Sequence, residues 1–313
     1  MKGLELCRLF YNEYGKPMLE EFPHILPFVS VGLIGSGSEC YGFDDEISLD
    51  HDLEPDFCIF IPNEDIVSRK DAFLLEKAYA KLPKEFMGHK RSGVSAVGGN
   101  RHGVIRINEF LLSKTGNEKG ELSVQGWFSV PEFSLLEVVN GEIFFDNYGA
   151  ISEVRNSLAY YPEDVRLKKL CGHLLLMGQS GQYNYQRCIT RNDTAAAQLA
   201  VFEFCKSAMQ VLFLQAKKYM PYYKWSFRAL KEISEEYKQV ADMLEFLISN
   251  PNDSQTANKK TEIINQICEI VTSKNMNDGL IEKSLTNMEE QAYIINMKIK
   301  DNQIRNAHIL FGV

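Results

Sequence analysis

The seven cysteines (7, 40, 58, 171, 188, 205 and 268) include no CxxC pair, so the spacings of a zinc ribbon or a dithiol redox site are missing. An odd count, mostly among apolar neighbours, reads as reduced core residues of a cytosolic chain and not as a disulfide framework. Basic charge is also scarce: 34 Lys and Arg stand against 42 Asp and Glu, a formal net charge of −8. That balance argues against a surface built mainly to grip nucleic-acid backbone or an anionic membrane. The first 22 residues carry acidic side chains throughout and lack an uninterrupted apolar core, so they do not read as a secretory signal, and no apolar run reaches the length needed to span a bilayer. The expected location is cytoplasmic, with no membrane partner. No fixed-period repeat and no low-complexity segment is visible. What remains is 313 residues, 45% apolar and 24% charged, an ordinary globular composition with length for two moderate domains.

Residues 3–22 space their apolar side chains at helical intervals with Gly15 and Pro17 as an interruption, which predicts one helix or two short ones ended by Pro23. The run ILPFVSVGLI (25–34) predicts a buried strand leading into Gly35, and FCIFI (57–61) a second one. Residues 64–82 predict an amphipathic helix stopped by Pro83, and 88–103, rich in Gly, Ser, Lys and Arg, a loop. GVIRINEF (103–110) alternates as a strand does, which would put Arg106 and Asn108 on one face and Glu109 on the other. Short apolar pieces follow at 122–130 and 142–146. The alternation of helix and strand stops near residue 150, and helical spacing takes over in 164–177, 193–220, 226–248, 258–272 and 282–300. The expected organisation is therefore an α+β domain over 1–150, with a mixed sheet flanked by helices, and an all-α helical bundle over 151–313.

The chain is organised around the stretch from Gly35 to Asp52. A Gly-Ser turn after a buried strand presents backbone N–H groups and hydroxyls without side-chain bulk, the chemistry of an anion site that a following helix would strengthen. Asp50 and Asp52 are one residue apart; on a strand they would share a face at ~6–7 Å, a spacing suited to one or two divalent ions. Such ions would bridge phosphate oxygens held by the turn, and phosphoryl or nucleotidyl transfer needs little beyond that positioning and charge neutralisation. His51 would face away from the aspartates and reads as a core or supporting histidine, while Asp44, Asp45 and Glu46 read as a solvated loop.

The pattern Gly35-Ser36, thirteen residues, Asp50-x-Asp52 resembles the signature of the DNA polymerase beta-like nucleotidyltransferase superfamily. The fuller string GSGSECYGFDDEISLDHD, with GEIFFDNYG (141–149), LAYYPEDV (158–165) and FLQAKKYMPYYKW (213–225), resembles the bacterial family called domain of unknown function 4037. The resemblance implies that Gly35, Ser36 and Ser38 contact nucleotide phosphates and that Asp50 and Asp52 bind Mg²⁺, two ions at most, with an NTP, first of all ATP, as co-substrate. It also implies a helical domain that closes one side of the cleft. Relatives usually add a third carboxylate from a later strand; here Asn108 would take that place, with Glu109, Glu121 or a carboxylate from the helical half as substitutes.

In the helical half, Asp193 reads as a helix N-cap. Lys224, set among Tyr222, Tyr223 and Trp225, and Arg187 or Arg191 are candidates for phosphate contacts by analogy with the relatives' helical domains. The sequence thus points to a Mg²⁺-dependent nucleotidyltransferase that moves an NMP to a hydroxyl or similar nucleophile on a small molecule or protein. The rival is a catalytically inactive nucleotide sensor or partner-binding protein of the same fold. A nucleic-acid polymerase is disfavoured by the acidic balance and the lack of a strand-binding segment.

Overall fold

The computed structural model describes residues 1–45, 54–91 and 102–313. The N-terminal stretch folds as α1 (Gly3–Phe10), a π-helical turn (Tyr11–Gly15) and α2 (Lys16–Glu20) in unbroken succession. The widened turn accommodates Pro17, which sits in the first turn of α2, where a missing N–H is tolerated. The run 25–34 divides, for Leu26–Phe28 is a 3-10 turn and only β1 (Ser30–Leu33) is extended. Pro27 is the reason, because its ring fixes φ and removes a ladder donor.

Next come α3 (Ser38–Tyr41), β2 (Cys58–Ile61) and α4 (Arg69–Tyr79), the last capped by Ser68, whose hydroxyl accepts from the Asp71 N–H. A small hairpin of β3 (Glu85–Phe86) and β4 (His89–Lys90) follows. Then β5 (Gly103–Arg106) runs straight into α5 (Ile107–Thr115). The alternation expected across 103–110 therefore stops at Arg106, and Asn108 and Glu109 stand in the first turn of α5. Ile107, Phe110, Leu111 and Thr115 are the buried residues of that helix, and their three- and four-residue spacing overrides the two-residue pattern. The remainder of this half is α6 (Val124–Ser129), α7 (Glu132–Val139), β6 (Glu142–Asp146) and α8 (Ala150–Ser157).

The four longer strands form one mixed sheet in the order β5-β2-β1-β6. β1 runs antiparallel to both β2 and β6, and β2 runs parallel to β5. Leu6, Phe10 and Leu19 of the N-terminal helices pack with Val31, Phe57, Ile59, Ile61, Leu75 and Tyr79 into the core over this sheet. The architecture is α+β: a mixed sheet flanked by helices, followed by a C-terminal helical region.

The chain divides into two compact units, Met1–Gly126 with Val130–Ala159, and Trp127–Ser129 with Tyr160–Val313. The second unit is helical: α9 (Glu163–Met177), a π-helical segment (Gly178–Tyr185), α10 (Gln186–Thr190), α11 (Thr194–Gln215), α12 (Tyr223–Lys231), α13 (Glu235–Ser249), α14 (Ala257–Asn277), α15 (Met288–Asn296) and α16 (Asn302–Asn306). Two buried lysines tie its loops together. Lys260 donates to the Asn250 carbonyl at 2.6 Å and to Asn252 Oδ1 at 2.9 Å, and Lys168 donates to the Ala307 carbonyl at 2.7 Å and to Asn296 Oδ1 at 3.0 Å. Although Glu203 and Lys206 interrupt its apolar sequence, α11 is long and apolar enough to cross a membrane. Val201, Phe204, Ala208, Val211 and Leu212 are buried along it, as befits a central core helix.

His173, in α9, is 7% exposed, and among the described residues its Nδ1 has no hydrogen-bond partner. Burial, with Lys169 and Lys206 nearby, drives its pKa down to about 3. A histidine held neutral in the fold but free to protonate when unfolded stabilises above its unfolded pKa, and that contribution is lost as pH falls. Between about pH 6.5 and pH 3 the slope is about 1.4 kcal/mol per unit, hence roughly 3 kcal/mol lost by about pH 4.5. Urea unfolding followed by tryptophan fluorescence should show this limb in the wild type and a flatter one in His173→Leu. Equal slopes would clear the imidazole of responsibility.

Candidate functional site

The sheet registers bring several chain segments to one end. Gly32 of β1 pairs with Cys58 of β2, Cys58 with Gly103 of β5, and Leu33 with Glu142 of β6. The exit of β1 therefore lies beside the entrances of β2, β5 and β6. Residues 34–38, 54–57, 102 and 140–141 all emerge there.

Gly35 takes φ +128°, a conformation open essentially to glycine alone, and Asn140 grips it from both sides. The Gly35 N–H donates to Asn140 Oδ1 at 2.9 Å, and Asn140 Nδ2 donates to the Gly35 carbonyl at 2.6 Å. The Gly141 N–H donates to the Cys40 carbonyl at 2.9 Å, so the same dipeptide also holds α3. Arg155 secures the dipeptide in turn, donating to the carbonyls of Val138 and Asn140 at 2.8 Å and of Val139 at 3.0 Å. The three turn residues expected to meet phosphate are not equivalent. Ser36 is exposed at the tip, Gly35 is buried, and Ser38 is 1% exposed. The helix that follows is a single turn ended by Gly42, too short for a strong N-terminal field. The carboxylate of Glu39, itself 3% exposed, fills the space that a side chain at residue 37 would need.

Asp50, Asp52 and His51 lie outside the described residues. The chain re-enters them at Glu54, and a titratable cluster that the sequence reading missed begins there. Asp56 is 5% exposed. Its Oδ1 accepts from the Phe57 N–H at 3.1 Å, from Arg91 Nη2 at 3.1 Å and from the Tyr79 hydroxyl. Its Oδ2 lies 3.9 Å from His102 Nδ1. Burial pushes the Asp56 carboxyl up to about 6, against the pull of the Arg91 guanidinium. Arg91 is nearly buried too, lying over the rings of Tyr79 at 4.9 Å and Phe10 at 5.2 Å. Glu54, Asp56 and His102 together hold ligand atoms within 4.8 Å of one another. Cys7, whose thiol donates to the Glu54 carbonyl at 3.1 Å, is pushed up to about 12 by burial, and burial raises Cys58 as well. Both thiols therefore stay protonated and are poor ligands and nucleophiles. The one local clue to this cluster is a carboxylate placed directly before an all-apolar strand, where an unpartnered charge is costly.

Other expected site residues fall elsewhere. Asn108 and Glu109 follow the exit of β5, the opposite end of that strand from the cluster, so neither adds a ligand there. Arg106 is engaged with the carbonyls of Pro62 and Val67 at 2.7 and 3.2 Å. Asp44 is not solvated: 5% exposed, it accepts from the Gly3 N–H at 2.9 Å and caps α1. In the second unit, Asp193 caps α11 by accepting from the Ala196 N–H at 3.0 Å. Arg187 and Arg191 are exposed, the former stacked over the Tyr183 ring at 4.7 Å. Lys224 is exposed, with its ammonium 5.0 Å from the Trp225 ring centre.

Residues 127–226 match the family model described as Domain of unknown function (DUF4037). This matched segment contains α7, the Asn140–Gly141 clamp, β6 and the three later strings of family resemblance. The string that begins at Gly35 lies outside it. No curated protein matches the chain. Among solved structures, a nucleotidyltransferase-like protein from Exiguobacterium sibiricum is similar at 11% identity and a TM-score of 0.37, over 92% of this chain and 80% of that one.

Proposed function

We propose that this chain is a Mg²⁺-dependent nucleotidyltransferase acting in the cytoplasm, which moves an NMP from an NTP, first of all ATP, to a hydroxyl or similar nucleophile on a small molecule or protein. One observation carries the reading: Gly35, at the head of the Gly35–Ser38 turn, is locked in a glycine-only conformation at the end of the sheet where the acidic entrance to β2 also emerges. Asp50 and Asp52, just upstream of it in sequence, would hold the ion. Bound there, Mg²⁺ supplies charge neutralisation along the triphosphate. Ser36, exposed at the turn, donates its hydroxyl to a phosphate oxygen, and Asn140 keeps the Gly35 backbone fixed while it does so. Lys224, with Arg187 or Arg191, is the further candidate for phosphate contact that the family resemblance implies.

The Glu39 carboxylate over Gly37 favours a second reading, a nucleotide-binding protein without turnover, because it puts negative charge beside the turn that a triphosphate would approach. The two readings separate in one assay. The protein is incubated with Mg²⁺, each α-labelled NTP and a cell extract, with EDTA as control. Label passing to an acceptor only with Mg²⁺ supports transfer. No label, with a raised melting temperature in NTP, supports the sensor.

A further inference from the structure

We infer that Glu54, Asp56 and His102 form a second cation site, selective for a first-row transition ion such as Zn²⁺ or Co²⁺ and distinct from the Asp50/Asp52 pair. The inference does not depend on the transferase reading.

The three side chains lie just ahead of two parallel strands. Glu54 and Asp56 precede β2, and His102 precedes β5, whose first residue pairs with the first residue of β2. Their ligand atoms fall within 4.8 Å of one another. His102 Nδ1 and Asp56 Oδ2, 3.9 Å apart, are too distant for a hydrogen bond. An ion about 2.0–2.2 Å from each fits between them.

Asp56 is oriented as a metal ligand is. Three donors, from Tyr79, Arg91 and the Phe57 backbone, converge on Oδ1 and leave Oδ2 facing His102. Outer hydrogen bonds of this kind fix a ligating carboxylate and sharpen metal affinity. Charge also fits: among the described residues, the Glu54 and Asp56 carboxylates against the Arg91 guanidinium leave one negative charge for a divalent ion to offset. The imidazole sets the selectivity. Mg²⁺ and Ca²⁺ take oxygen donors, whereas a mixed nitrogen and oxygen set suits Zn²⁺, Co²⁺ or Fe²⁺. With three protein ligands the ion keeps open positions for water or substrate oxygen.

The test uses tag-free full-length protein stripped by chelator. An Asp50→Asn/Asp52→Asn variant removes the other pair. It should still bind one equivalent of Zn²⁺ by calorimetry, and Co²⁺ should give visible d–d absorption. Adding His102→Gln, or separately Glu54→Gln, should weaken Zn²⁺ binding at least tenfold and alter the Co²⁺ spectrum. Both residues lie outside the core, so circular dichroism should confirm that the variants fold. The site is refuted if the Asp50→Asn/Asp52→Asn protein binds no Zn²⁺, or if neither further substitution changes the affinity. Zn²⁺ binding without any nucleotidyl transfer would sink the transferase reading alone, and transfer without Zn²⁺ binding would sink this site alone.

Discussion

Replacing Asp50 or Asp52 with asparagine is expected to lower nucleotidyl transfer about a thousandfold, with the fold unchanged by circular dichroism. The amide keeps the shape and an acceptor oxygen but removes the charge that, on the proposed reading, would hold the ion. A catalytic divalent cation is worth several kcal/mol of barrier lowering, and about 4 kcal/mol corresponds to about 10³ in rate. Raising Mg²⁺ should recover part of the loss if the defect is in ion binding. Transfer within about threefold of wild type would exclude the aspartate pair as the catalytic ligands. Nucleotide-induced stabilisation reports separately on binding, for a ligand at a hundred times its Kd adds about 2.7 kcal/mol. A protein still stabilised by NTP after Asp50→Asn, with transfer abolished, has lost chemistry and kept recognition.

Gly141→Ala should destabilise the first unit by about 4 kcal/mol. Residue 141 has φ +60°, and an added Cβ would collide with the Leu33 carbonyl oxygen and lie 3.1 Å from the Ile34 Cα. Backbone atoms cannot rotate aside as a side chain would. The left-handed conformation costs a non-glycine residue about 1–2 kcal/mol, and forced overpacking adds about 1–3. The change also displaces Asn140, and with it Gly35, so nucleotide affinity should fall together with stability. The two tryptophans, Trp127 and Trp225, both belong to the second unit. Denaturation should therefore split: the circular dichroism signal gains an early transition while tryptophan fluorescence keeps its wild-type midpoint. Coincident transitions at the wild-type midpoint would contradict the clamp.

Much of the architecture was legible because its determinants are local. The apolar run FCIFI contains the observed β2, the short apolar piece at 142–146 is β6, and the capping role of Asp193 follows from its position before a helical run. Where local signals competed, the sequence misled. GVIRINEF satisfies both strand and helix periods, and the burial of Phe110, Leu111 and Thr115 decides for a helix from Ile107 onward. One helix expected over 226–248 is two, because Ser234 starts α13 as a cap accepting from the Tyr237 N–H.

The candidate site was only half readable. The Gly-Ser turn announces itself through composition. Its clamp does not, since Asn140-Gly141 reads as an ordinary turn and its partner is Gly35, 105 positions earlier. The Asp56 cluster is hidden in the same way. Arg91 is 35 residues and Tyr79 23 residues from the aspartate they hold, and no spacing rule joins such positions.

The grip of Asn140 on Gly35 also fixes when the site can come into being. β1 needs β2, an early neighbour, on one edge and β6 on the other, where Ser30 meets Asp146 across 116 positions. At about 5–20 residues per second of synthesis, the turn is made several seconds before the residues that lock it. Until β6 docks, the nascent chain carries an unpinned turn and an open edge on β1, and so long-range a closure places it among slow-folding topologies. A chaperone that shields β1 during that interval would raise the yield of active protein without touching the finished fold.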